Sequence, residues 1–147
     1  MIIIPEKDTI KLLRECDAGI KMGLSSIEDV KDNVCSQNLR QILNDCKSEH
    51  EKLKTDIQTV LGTYQDEGKA PNPVAKGMSW MKTNVKLALD DSDATIADLM
   101  TDGCNMGVKS LSRYLNQYKA ADGEAKGIAQ RLISVEEKLA VDMRPFL

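Results

Sequence analysis

Aromatic residues make up only 3% of the 147 residues: one tryptophan, three tyrosines and one phenylalanine. That scarcity argues against a β-sandwich, whose strands draw on aromatic and β-branched side chains. Nine glycines and four prolines are too few for a loop-rich fold. Neither sign of charge dominates. A net charge of −3 offers no general attraction for phosphate backbones or anionic lipid, which sets nucleic acid and membranes aside as partners. No apolar run approaches the length of a membrane span. The start Met1-Ile2-Ile3-Ile4-Pro5 lacks the basic residues and longer apolar stretch of a signal peptide, so the expected location is cytoplasmic. There Cys16, Cys35, Cys46 and Cys104 would be reduced thiols, and their spacings match no zinc ribbon, finger or CxxC motif. The chain also lacks a glycine-rich phosphate loop, a nucleophile elbow and a helix-turn-helix signature.

What remains is 41% hydrophobic and 29% charged residues, the balance of a helical protein. From Thr9 to Val34 apolar or small residues recur in steps of three and four at Leu13, Cys16, Ile20, Gly23, Ile27, Val30 and Val34, which predicts a bundle-facing helix. After Ser36, a suitable N-cap, the stripe resumes through Leu39, Leu43, Cys46, His50, Leu53, Ile57 and Leu61. Gly68, Pro71 and Pro73 then interrupt it, with a short helix predicted over Val74 to Leu89. A third helix is predicted from about Asp91 or Ser92 with Ile96, Met100, Cys104, Gly107, Leu111 and Tyr118 on its stripe. Ala121-Asp122-Gly123 is the next turn, and a fourth helix carries Ala129, Leu132, Glu136, Leu139 and Met143 up to Pro145. Short, long and short connections between four amphipathic helices predict an all-α antiparallel four-helix bundle, residues 1–147 as one unit.

The two halves resemble each other. Ser48 to Ile57 lies over Ser134 to Met143 at an offset of 86, and Cys16 to Lys21 lies over Cys104 to Lys109 at an offset of 88. Together these matches imply a duplicated hairpin, about 8–64 and 91–144, with a crossover over 65–90. On this reading Gly19 matches Gly107, and Cys16 and Cys104 are symmetry mates.

With the stripes, the segments Cys104-Asn105-Met106-Gly107, Gly77-Met78-Ser79-Trp80 and Ser36-Gln37-Asn38-Leu39 make the chain resemble the ferritin-like superfamily, rubrerythrin-related, and within it a bacterial family of four-helix proteins of unassigned function. The resemblance implies a ferritin-like fold. It also implies a place for two metal ions, with one Glu on each of helices one and three and Glu-x-x-His on each of helices two and four. Carried over, those positions fall on Ile20, Val108, Lys47 with His50, and Ile133 with Glu136. Only His50 and Glu136 are possible ligands, and a lysine at a bridging position opposes a cation, so the resemblance implies a degenerate metal site.

His50, the sole histidine, and Glu136 are therefore expected to face each other as a core polar pair. The functional alternative is a remnant metal site completed by Cys46, Asp17 or Asp102. The cysteines read as small buried hydrophobes before they read as redox groups. Gly19, Gly23, Gly103 and Gly107 sit inside helices at a cost of about 1 kcal/mol each, which close packing or room for a ligand would offset. Met78, Trp80 and Met81 form an aromatic-methionine cluster that either pins the crossover or offers a partner surface. The expected function is a non-enzymatic binding or assembly module, its partner an unidentified protein or a second copy, with no cofactor. The alternative is a metal-binding or redox protein holding iron or zinc around His50 and Glu136.

Overall fold

The computed structural model describes residues 5–71, 87, 90 and 92–147. Helix α1 spans Pro5–Val30, α2 Gln37–Thr63, α3 Asp93–Gln117 and α4 Gly123–Met143. Each start but the first is set by a side chain that accepts a backbone N–H left without an intrahelical partner. Ser36 accepts from Leu39, Ser92 from Thr95 and Asp122 from Ala125.

Helix α1 differs from expectation at both ends. It begins at Pro5, whose fixed φ suits a first helical position, and its α-helical turns stop at Val30. The chain then tightens into a 3-10 turn, Lys31–Asn33, before Val34 becomes extended. The guanidinium of Arg40 donates to the Val34 carbonyl at 2.8 Å, satisfying an acceptor that the ended helix leaves open. At its far end α2 closes in a Schellman arrangement, in which Gln65 N–H donates to Gly62 and Asp66 N–H donates to Leu61, both at 3.0 Å. Gln65 takes the left-handed conformation there, with φ of 58°. At the chain's end Pro145 lies in a second 3-10 turn, Arg144–Phe146.

The order of the helices in space follows from contacts at the two ends. The carboxylate of Asp93, first residue of α3, accepts both the Cys35 and Ser36 N–H groups at 2.9 Å, so α3 starts beside the start of α2 and runs parallel to it. At the opposite end Asp8 accepts Ala120 N–H at 3.0 Å and Thr9 accepts Asp122 N–H at 2.9 Å. Each tight turn is thus clasped by the first turn of the other hairpin's leading helix. Residues 64–92 must cover the length of α2, about 40 Å at 1.5 Å per residue, and this makes the connection a full-length crossover. The result is an all-α bundle with the general shape of a ferritin-like one. The predicted helix over Val74 to Leu89 lies outside the described residues except for Leu87, which packs on the core. Among the described residues no helix is long and apolar enough to cross a membrane.

Among the described residues two apolar clusters fill the interior. One joins Leu12, Leu13, Cys16 and Ile20 of α1 to Leu53, Ile57 and Leu61 of α2, Leu111 of α3, and Ala129 and Leu132 of α4. The other joins Ile27 and Val30 to Leu39, Leu43 and Cys46, to Ile96, Met100 and Cys104, and to Leu139 and Met143. Val135 packs against both.

Beyond α2 the chain is tied down by charge. Asp17, with no exposed surface, receives the Lys21 ammonium at 2.7 Å and the Lys69 N–H at 3.1 Å, both on Oδ2. Arg14 reaches Asp66 at 3.2 Å, Lys69 pairs with Glu15, and Asp66 accepts the Gly68 N–H at 2.8 Å. Gly68 is obligatory here: its φ is +92°, and a Cβ would collide with Asp17 Oδ2.

Removing the Asp93 carboxylate strands two backbone donors of the first turn. Asp93→Ala is expected to lower stability by about 1–2 kcal/mol in urea unfolding. An unchanged midpoint would show that the clasp does not contribute.

Candidate functional site

Between the two apolar clusters lies a polar waist. His50 is placed there by the stripe of α2 and is 1% exposed; Glu136, on α4, is 13% exposed. His50 Nε2 and Glu136 Oε1 are 3.0 Å apart. On the other side of the ring, Nδ1 lies 2.8 Å from the Cys46 carbonyl oxygen and 3.4 Å from Cys46 Sγ. A carbonyl oxygen only accepts, so Nδ1 carries a hydrogen and donates it back one helical turn. Burial works against the His50 imidazolium, but the hydrogen bonds to Cys46 and Glu136 and the neighbouring charge outweigh it and push the ring up to about 10.

Helix α1 contributes space. A Cβ on Gly23 would stand 2.7 Å from His50 Nε2 and 2.9 Å from Cδ2, so the ring edge rests on the bare backbone of α1. On α3 a Cβ at Gly107 would stand 3.3 Å from Glu136 Oε2. The two polar side chains thus each rest on a glycine of a leading helix. Gly19 has only ordinary contact at 4.0 Å with Leu132, and Gly103 meets no neighbour among the described residues.

The fourth side of the waist is Cys104. Burial, then the charge of Glu136 and a hydrogen bond with it, raise the Cys104 thiol above its ordinary range. Burial, followed by Glu15 and Asp17, pushes the Cys16 thiol up to about 12. At neutral pH both are protonated, and neither has the thiolate character a nucleophile or redox centre requires. No disulfide links the four cysteines, and Cys35 is the exposed one.

The structure brings His50, Glu136, Cys46 and Cys104 together and leaves the other candidate ligands elsewhere. Asp17 is committed to Lys21 and Lys69, and Asp102 is exposed on α3. Ile20 is fully buried among apolar neighbours, Val108 is half-buried and Lys47 is exposed. Among the described residues no group of three or more His, Cys, Asp or Glu is arranged to hold a metal ion. One reason is visible at the histidine, where Cys46 and Glu136 address opposite nitrogens of the ring. Met78, Trp80 and Met81 lie outside the described residues.

The contacts also align the two halves differently from the residue matches. Gly23 with His50 corresponds to Gly107 with Glu136, and Thr9 with Asp122 corresponds to Asp93 with Ser36. Both correspondences set the leading helices at an offset of 84 and the second helices at 86. The leading helices thus shift by one turn, from an offset of 88 to one of 84, at which Gly19 pairs with Gly103 and Cys16 with Met100. At that offset Cys104 corresponds to Ile20, so Cys16 and Cys104 are not equivalent. The shared Cys, Gly and Lys that suggest 88 come from a helical period, which repeats every turn.

Searches of protein-family models, curated proteins and solved structures returned no match to the chain.

The glycines give a sharp contrast. Gly23→Ala drives a methyl group into a rigid, buried ring and is expected to destabilise by about 1–3 kcal/mol. Gly103→Ala meets nothing among the described residues and should stabilise by about 1 kcal/mol through helix propensity. Thermal and urea unfolding of the two variants against wild type measures both; equal effects would refute the packing of His50 on Gly23.

Proposed function

We propose that this chain is a non-enzymatic binding or assembly module, built on a ferritin-like bundle whose metal-ligand positions have been given over to packing. The observation that carries this reading is the closed pair at the waist. His50 and Glu136 occupy each other, the remaining ring nitrogen is bound to a backbone carbonyl, and the Cys104 thiol beside Glu136 is protonated. Among the described residues of the waist none is left poised to attack a substrate, and of the six positions that the resemblance assigns to metal ligands four carry Ile20, Val108, Lys47 and Ile133, leaving only His50 and Glu136. On this reading the two hairpins are copies of one ancestral hairpin, related at the offsets the contacts give. The work of the protein is then done on its outer surface, toward an unidentified protein or a second copy. Four unpaired thiols suit a reducing, cytoplasmic setting.

The test is the metal content of protein purified without a metal-affinity tag, with iron and zinc titrations of wild type beside His50→Ala and the mass in solution recorded in parallel. The expected result is no stoichiometric metal, with His50→Ala less stable by about 2–4 kcal/mol because Glu136 loses its partner and a cavity is left. Stoichiometric metal that disappears with His50 would overturn the proposal in favour of a metal centre at the waist.

A further inference from the structure

We propose that the waist of the bundle is a one-proton site: folding takes up a proton and holds it between His50 Nε2 and Glu136 Oε1, and alkali releases it. The argument is one of hydrogen-bond direction. Because the Cys46 carbonyl fixes a hydrogen on Nδ1, a neutral ring would present a bare lone pair at Nε2. An ionised Glu136 would present another, 3.0 Å away, where burial leaves little room for water to separate them. Two acceptors at that distance repel. One proton between them turns the contact into a hydrogen bond, whether it is drawn as imidazolium with carboxylate or as imidazole with carboxylic acid.

The surroundings hold the ring in this orientation. Helix α1 presents the backbone of Gly23 to the Nε2–Cδ2 edge, and α2 holds Nδ1 through Cys46. Helix α3 presents the protonated Cys104 thiol to Glu136, and α4 presents Glu136 itself. Among the described residues these are the titratable groups shown to interact with the pair, and none is a cation other than His50. In the unfolded chain an imidazole titrates near pH about 6.5, so above neutrality it does not hold the proton. Folded His50 keeps it up to about 10. The stabilisation is therefore complete below pH about 6.5 and is lost as pH rises through the folded value, with the folding constant falling by up to ~tenfold per pH unit in between.

His50 is the only histidine, so protein labelled with nitrogen-15 at histidine reports on the waist without assignment. In the folded wild type the ring signals are expected to stay constant from pH 7 to 9 while the folding constant, from urea unfolding, falls across the same range. Glu136→Gln supplies an amide N–H to a neutral Nε2 and removes the need for the proton, so its folding constant should lose most of that pH dependence. A folded ring in wild type that titrates within about one unit of 6.5 would overturn the proposal. So would identical pH dependence in the two proteins. Should Glu136→Gln not fold, proton uptake by wild type on refolding at pH 8, one per chain against none, decides the matter.

Discussion

A histidine and a glutamate buried together at the middle of the bundle constrain everything around them. Neither can be taken from water without a partner, since an unpaired buried polar group costs about 1–3 kcal/mol and an unpaired charge costs more. Their pairing fixes α2 against α4 at one register, because a slip of one turn would strand both. The apolar clusters on either side would tolerate such a slip far better, as leucine and isoleucine repack with small losses. The pair also dictates what α1 and α3 carry opposite it: a glycine at 23, where the ring leaves no room for a methyl group, and a small residue at 107. The interior is therefore organised as two greasy halves keyed by one polar contact.

The ends are keyed separately. Asp93 holds the first tight turn, Asp8 and Thr9 hold the second, and the charged contacts of Asp17, Lys21, Glu15 and Lys69 set the direction in which the chain leaves α2. Among the described residues Asp17 Oδ1 finds no hydrogen-bond partner. Its other oxygen does the binding, and that one-sided arrangement is what demands glycine at position 68.

Much of this architecture is legible in the amino-acid sequence. Periodicity of three and four places all four helices, Ser36 marks the start of the second by chemistry and Asp91 or Ser92 that of the third, and the single histidine on an apolar stripe calls for a partner on a facing helix. Glu136 is legible as that partner because it repeats His50 at the same spacing as its neighbours. Other features leave no trace in sequence. The clasps of Asp8, Thr9 and Asp93 join residues more than fifty positions apart, and an aspartate near a helix start looks the same whether it caps its own helix or holds another turn. Asp17 reads as a possible ligand because its type is right, while of its two partners only Lys21 shares its helix, and Lys69 comes from a loop whose path periodicity does not describe. The one-turn difference in matching the leading helices has a related origin: at an offset of 88 Gly19 meets Gly107 along with a shared Cys and Lys, whereas at 84 Gly19 meets Gly103 and Gly23 meets Gly107, the arrangement that the contacts share.

The clasps have a consequence for the order in which the molecule assembles. Each helical hairpin forms from neighbours in sequence, whereas the bonds that lock each turn span separations of 57 to 113 residues. Closing loops of that size is entropically slow and gains nothing until both hairpins are in place. The turns, ordinarily the earliest and most local parts of a helical protein, are here secured last, when the second hairpin docks.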